Sequence, residues 1–337
     1  MSDEQIAPTE PPAEVVSEHR RARRRSWGPI ARLGGAFTLV AATLAAAFSI
    51  NVLSAAPAQP TLKGSPHAGR PLRVLLVGDS LAGTLGVGLA SAARASNVEL
   101  VNAAMVGCSV AIAWNQGWAS TVGVPGPPAY PCQSRDQLTT YWVGLLRSDR
   151  PDVVIYASHM DTVEQESSPG SSTMISVADP SFAGRLTQSL SEAVSVLHST
   201  GASVIVTNSA PTKTNLVGNA NDAPASLAAY GVVVNEVAAS SRGAATAFDL
   251  AGILGGPGSP PSFSLASPAG VEWRCLDGIH VSQAGGELVA PALFLLAWQV
   301  SLVAHGPPLE RPAPPLREVN QPWAPYLAQR HAMGCPQ

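Results

Sequence analysis

Between Arg73 and His305 the chain repeats one pattern: a short apolar run, then a segment long enough for a helix. The runs are 73–77 (RVLLV), 98–101, 153–156 (VVIY), 203–207 (SVIVT) and 245–249. Short continuous apolar runs rich in Val and Ile suit strands that are covered on both faces of a parallel sheet. The intervening segments predict helices over 82–95, 136–148, 182–199 and 227–241, with a last one over 284–304. In that last segment Gly285, Gly286 and Pro291 fall early, so a regular helix is expected only from near Ala290, with the proline in its first turn. Strand–helix alternation implies right-handed crossovers and therefore a three-layer α/β/α domain on a parallel sheet. Ligands in such sheets bind at the carboxyl ends of the strands, so the loops just after each strand are where chemistry is expected.

The rest of the 337-residue chain is unlike this central part. Hydrophobic residues make up 46%, enough for a sizeable core, which excludes a wholly disordered chain. With 20 basic against 23 acidic side chains there is no basic domain, and a nucleic-acid partner is not expected. Residues 1–32 read as a disordered cytoplasmic tail ending in an arginine cluster (Arg20, Arg21, Arg23, Arg24, Arg25). Residues 33–55 are uncharged and long enough to span a bilayer, at about 20 apolar residues per crossing. Arginines on one side only predict a single-pass anchor, its N-terminus cytoplasmic and the remainder extracytoplasmic, in a bacterial cell membrane. A cleaved signal peptide is the rival reading, because the small residues Ser54, Ala55 and Ala56 follow the run. Residues 56–70 read as a Pro/Ala/Gly linker, 71–305 as the folded domain, and 306–337 as a proline-rich arm over its surface.

All four cysteines, Cys108, Cys132, Cys275 and Cys335, lie beyond the apolar run, where an even count favours disulfides. Three pairings are possible. Proximity favours Cys108–Cys132 and Cys275–Cys335. A zinc site is the alternative, although no C-x-x-C spacing is present.

Two motifs suit nucleophilic catalysis. Gly78-Asp79-Ser80-Leu81 directly follows the first run, so Ser80 stands where a strand stops and a helix starts. A helix N-terminus offers free N–H groups and partial positive charge to a developing oxyanion. A serine needs a base, and the base needs an orienting acceptor. Cys275-Leu276-Asp277-Gly278-Ile279-His280 supplies such a pair: three residues apart in a glycine turn, Asp277 can hydrogen-bond the His280 imidazole. Gly107, after the second run, can bring a backbone N–H close to a ligand. Singly, each motif also fits a bland role, as a helix cap or a surface turn. Their placement, after the first strand and before the last helix, is what links them. No motif implies a metal or an organic cofactor.

With these residues in place the sequence resembles the SGNH (GDSL) hydrolases, across roughly residues 73–303. Gly78-Asp79-Ser80-Leu81 matches their first block, Gly107 the glycine of the second, and Asp277-x-x-His280 the last. The resemblance implies a flavodoxin-like fold and a Ser–His–Asp triad acting on esters: Ser80 as nucleophile, His280 as base then acid, and Asp277 as its orienting partner. The N–H groups of Ser80 and Gly107 would form part of the oxyanion hole. The third block departs. Where the family shows G-x-N-D, this chain has Ser158-His159-Met160-Asp161, so Met160 stands in the asparagine position. His159, Asn102, Asn208 or a backbone N–H are the candidate replacements. SGNH domains associated with membrane acyltransferases of cell-surface polysaccharides also depart at this block, and the sequence looks closest to that branch. The resemblance thus implies an acylated glycan substrate, with a membrane acyltransferase as a possible partner. A non-catalytic glycan-binding or assembly protein, or a GDSL lipase, are the rival readings. Trp114 and Trp118 are placed either to stack on a sugar or to pack beneath the Cys108–Cys132 loop. His159 is a candidate substrate contact, or a structural histidine. Asp161 and Glu164 are expected to be solvated.

Overall fold

The computed structural model describes residues 70–114, 131–213, 224–255, 263–266, 270–305 and 335. The expected tail 1–32, membrane helix 33–55, linker up to residue 69, Trp118, and the arm 306–337 apart from Cys335 lie outside the described residues.

Five parallel strands form the main sheet: β1 (Leu72–Gly78), β2 (Val98–Asn102), β3 (Val153–Ala157), β4 (Ser203–Thr207) and β5 (Ala245–Phe248). Their spatial order is 2-1-3-4-5, the doubly wound flavodoxin-like order, with its switch point between β1 and β3. All five expected strands are present, and all four junctions are parallel. The strands read as continuous apolar runs because both faces are covered. Along β1, Leu72, Val74 and Leu76 enter one core layer, and Leu75 and Val77 enter the other.

The first layer is built by α1 (Ser80–Ala93), together with a short helix after β5 and the last helix. The second layer holds α2 (Val110–Trp114), α3 (Arg135–Asp149), α4 (Pro180–Leu197) and α5 (Pro224–Ser240). The short helix is α6 (Leu250–Leu254) and the last is α7 (Gln283–His305). Trp142, Phe182, Leu186 and Tyr230 fill the second layer, while Leu81, Leu85, Leu293 and Phe294 fill the first. A two-stranded antiparallel ribbon, Gln165–Glu166 with Met174–Ile175, follows β3. This ribbon and the five-residue helices α2 and α6 are too short to show a hydrophobic period.

The expected late start of the last helix is corrected. Helix α7 is continuous from Gln283, with the Ser282 hydroxyl accepting the Gly285 N–H. Its glycines serve close packing instead of an irregular entry. A Cβ on Gly286 would sit 2.6 Å from the Leu85 carbonyl oxygen and 2.7 Å from the Gly88 Cα. Pro291 lies inside the helix, and the carbonyl it leaves unmatched belongs to the exposed Glu287. Among the described residues, Gln283–Ala304 is also long and apolar enough to cross a membrane, with a mean hydropathy of 1.7. Its apolar stripe, Val289, Ala290, Leu293, Phe294 and Ala297, is buried in the first layer, which accounts for that composition.

Because α1 begins at Ser80 and α7 follows His280, the Gly88–Gly286 contact also sets how closely the two candidate motifs approach. Gly286→Ala must push α1 and α7 apart. We expect it to lower the unfolding free energy by about 1–3 kcal/mol, as overpacked cores do, read from urea denaturation.

Candidate active site

The site is built around the carboxylate of Asp79, which is fully buried at the end of β1. Its Oδ1 accepts the Leu81 N–H at 2.8 Å and so caps α1. Its Oδ2 gathers the loop after β3, accepting the Ser158 hydroxyl at 3.0 Å and the N–H groups of His159 and Met160 at 2.7 and 2.6 Å. Strands β1 and β3 approach closely here because Gly78 adopts φ 133° and has no side chain; a Cβ there would lie 2.8 Å from the Ala157 carbonyl carbon. Ser80 is the first residue of α1 and is half-buried. No acceptor among the described residues takes its N–H.

The loop leaving β2 runs beside this point, with the Met105 N–H donating to the Gly78 carbonyl at 2.8 Å. Gly107 follows with φ 67°, in the left-handed region, and its N–H likewise meets no acceptor among the described residues. Cys108, the next residue, is bonded to Cys132.

Asp277 and His280 occupy one tight turn. The His280 Nδ1 lies 2.5 Å from Asp277 Oδ2, while Asp277 Oδ1 accepts the N–H groups of Ile279 and His280 at 2.9 and 3.1 Å. Burial pushes the Asp277 carboxyl up, but the His280 ring and these N–H groups outweigh it and hold the group below its ordinary value. With Nδ1 turned to Asp277, Nε2 is the ring nitrogen on the side away from that carboxylate.

The turn is fixed from several elements. Val281 donates its N–H to Thr84 Oγ1 at 3.2 Å, and Thr84 lies one turn along α1 from Ser80. Lys213, after β4, donates its N–H to the Gly278 carbonyl at 2.8 Å. Cys275 is bonded to Cys335, so both disulfides favoured by proximity are present, and each adjoins a candidate site loop. The remaining tie was not legible in the sequence. Arg274, fully buried, donates to the carbonyls of Ile279 at 2.9 Å and Pro211 at 2.7 Å. Burial pushes its guanidinium down to about 10, against the pull of Asp277.

Several sequence expectations are corrected. Asn102 donates to the Gly83 carbonyl and accepts the Ala104 N–H, and Asn208 joins Asp249 to the Ala251 N–H. Both amides are therefore structural, and neither replaces the missing third-block asparagine. The ring of His159 is buried, with Nδ1 2.8 Å from Ser209 Oγ. The indole N–H of Trp114 donates to Glu192, and its ring packs 5.8 Å from that of Trp142, beneath Arg135. Trp114 thus packs against α3, while residues 115–130 between Cys108 and Cys132 lie outside the described residues. Asp161, expected in solvent, is fully buried, whereas Glu164 is half-buried. Two apolar side chains next to the candidate loops, Val106 and Leu276, are exposed.

The profile of the SGNH domain (fused to AT3 domains) matches residues 51–257, more than half of the chain. The chain belongs to the SGNH family. That membership supports ester hydrolase activity. The match ends ahead of Asp277 and His280, so it is the tertiary structure that brings their turn to the Ser80 helix. No curated protein matches the chain. Among solved structures, a candidate acylhydrolase of Bacteroides fragilis is similar at 11% identity and TM-score 0.44, over 69% of this chain and 91% of its own. An acetyl xylan esterase is similar at 14% identity and TM-score 0.41, over 67% and 99%. The inhibitor-bound aryl esterase of M. smegmatis gives 14% identity and TM-score 0.41, over 68% and 99%.

Two outcomes follow for the SGNH domain. Arg274→Met leaves two buried carbonyls without donors and lowers stability by about 2–5 kcal/mol in urea denaturation. Arg274→Lys restores only part, since one ammonium lacks the planar fork that spans both carbonyls. The Asp277 carboxyl titrates below its ordinary 3.8 when folded, so its stabilisation is present above the unfolded value and is lost as pH falls through the folded one. Asp277→Asn is therefore less stable than wild type at pH 7, and their melting temperatures converge in acid.

Proposed function

We propose that this SGNH protein is a membrane-anchored, extracytoplasmic serine esterase or O-acyltransferase acting on acyl esters of cell-envelope glycans. The observation that carries the reading is the Asp277–His280 hydrogen bond, in a turn tied through Val281 to Thr84 on the Ser80 helix. In the proposed cycle Ser80 Oγ attacks the ester carbonyl while His280 Nε2 takes its proton. The tetrahedral oxyanion faces the N–H groups of Ser80 and Gly107. His280 returns the proton to the departing alcohol and leaves an acyl-Ser80. Water or a sugar hydroxyl, deprotonated by His280, then attacks that acyl group; Ser80 recovers its proton and the acid or the new ester leaves.

Met160 contributes no side-chain donor, and its own N–H is engaged by Asp79. Two backbone donors then serve where three groups are usual, and loss of one donor typically costs about 100–1,000-fold in rate. A slow hydrolase whose acyl-enzyme lives long enough to meet a sugar fits this arrangement. The exposed Val106 and Leu276 suit contact with a short acyl chain. The outward location rests on the uncharged run 33–55 with its arginines on one side, and two disulfides suit an oxidising compartment.

The full-length chain is expected to release acetate from a small activated ester, and Ser80→Ala to lose roughly 10^4-fold or more of that rate. An acyl mass on the Ser80 peptide that passes to an added glycan favours transfer over hydrolysis. Equal rates in both proteins, at background, would return the domain to a glycan-binding role, the reading that Met160 favours.

A further inference from the structure

Asp161 is a buried acid that the cycle above does not use. Its two oxygens take three donors from three elements. Oδ1 accepts the Ala111 N–H of α2 at 2.9 Å; Oδ2 accepts the hydroxyls of Tyr156 on β3 at 2.7 Å and Tyr230 on α5 at 3.2 Å. The Tyr156 oxygen itself accepts the Val110 N–H at 3.0 Å, so its own proton is directed to Asp161. Such a surround consists of donors only. An ionised carboxylate, which only accepts, fits it, whereas a proton on Oδ2 would displace one of the two hydroxyls.

Hydrogen bonds also link Asp161 to the segments that carry both candidate oxyanion donors. On one side its N–H donates to Ser158 Oγ at 3.2 Å, the Ser158 hydroxyl donates to Asp79, and Asp79 caps the helix that begins with Ser80. On the other side Val110 and Ala111 open α2, directly after Gly107-Cys108-Ser109. We infer that Asp161 is a positioning residue: as a carboxylate it holds the Gly107 loop at a set distance from the Ser80 helix, and its protonation releases that loop. This rests on the roles proposed above for Ser80 and Gly107.

The protonation falls in a useful range. Burial pushes the Asp161 carboxyl up to about 6, against hydrogen bonds from Ala111 and Tyr156, while the charge of Asp79 adds to the rise. The groups facing it are Tyr156 from β3, Tyr230 from α5 and Asp79 from the end of β1; α2 carries no titratable side chain. Both tyrosines are raised well above 10, chiefly by burial, and so remain donors. Alignment is therefore complete above about pH 7 and is lost as pH falls through 6.

The test uses the full-length chain and a small activated acetate. Asp161→Asn should lower kcat about 10–100-fold at pH 8, with KM changed less than about twofold, because misaligned oxyanion donors act in the transition state. The proposed cycle also depends on the Asp277–His280 turn, so a second variant separates the two. Tyr230→Phe removes one donor from Asp161 without touching the Asp277–His280 turn, and should move the acid limb of kcat upward by roughly 0.5–1 pH unit. Amide hydrogen exchange over residues 107–111 should quicken at least about tenfold in Asp161→Asn at fixed pH. Wild-type kcat in Asp161→Asn, an unmoved limb in Tyr230→Phe, or unchanged exchange overturns the inference. Should Asp161→Asn not fold, Tyr230→Phe decides. Absence of ester turnover in the wild-type chain would count against the hydrolase reading alone, and exchange over 107–111 would then decide the positioning role.

Discussion

One buried carboxylate organises the structure. Asp79 receives the N–H group of Leu81 from the exit of β1, and the N–H groups of His159 and Met160 and the hydroxyl of Ser158 from the exit of β3. A buried charge is costly unless several donors converge on it, and that requirement fixes the two loops relative to each other. Strand β1 can end beside β3 only because Gly78 has no side chain to meet Ala157. Helix α1 then starts at the topological switch point, and Ser80 is presented where doubly wound sheets bind their ligands. The same arrangement shows why the loop after β3 keeps its path with a methionine at position 160: Asp79 holds that loop through backbone N–H groups, which any residue supplies.

The turn of Asp277 and His280 is nearly 200 positions from Ser80 and depends on contacts that are distant in sequence. Thr84 takes the Val281 N–H, Arg274 grips the carbonyls of Ile279 and Pro211, Lys213 reaches the Gly278 carbonyl, and a disulfide joins Cys275 to Cys335. Each contact is modest, but they converge from α1, the loop after β4 and the chain's far end. The glycines of α1 and α7 complete the arrangement, since only hydrogen at both Cα atoms lets those helices approach so closely. Both disulfides adjoin site loops, so in each case the covalent tie lies beside the residues proposed to act.

Much of this was legible in the sequence wherever a residue's environment is local or periodic. The strands showed as apolar runs because both sheet faces are covered, and the cysteine pairs followed from proximity. Asp277 and His280 were legible because a three-residue spacing within one turn brings them together without help from the rest of the fold. The failures share a cause. Gly285 and Gly286 looked like breaks in a helix, but they answer to Leu85 and Gly88 on another helix. Asp161 looked solvated because its donors, Tyr156, Tyr230 and Ala111, come from three separate elements. Asn102 and Asn208 carry side chains of the right type for an oxyanion donor, but their amides are engaged by Gly83 and Asp249.

By itself the sequence determined the alternation of buried strands and helices, the Ser80 helix start and the Asp277–His280 turn, because these follow from residue type and short-range spacing. Only the tertiary structure decided that the Asp277–His280 turn is tied to the Ser80 helix, which asparagines are engaged, and that Arg274 and Asp161 lie in the interior. The physical reason is that a buried charge is tolerated only where donors or acceptors from several elements converge, and such convergence has no signature along the chain.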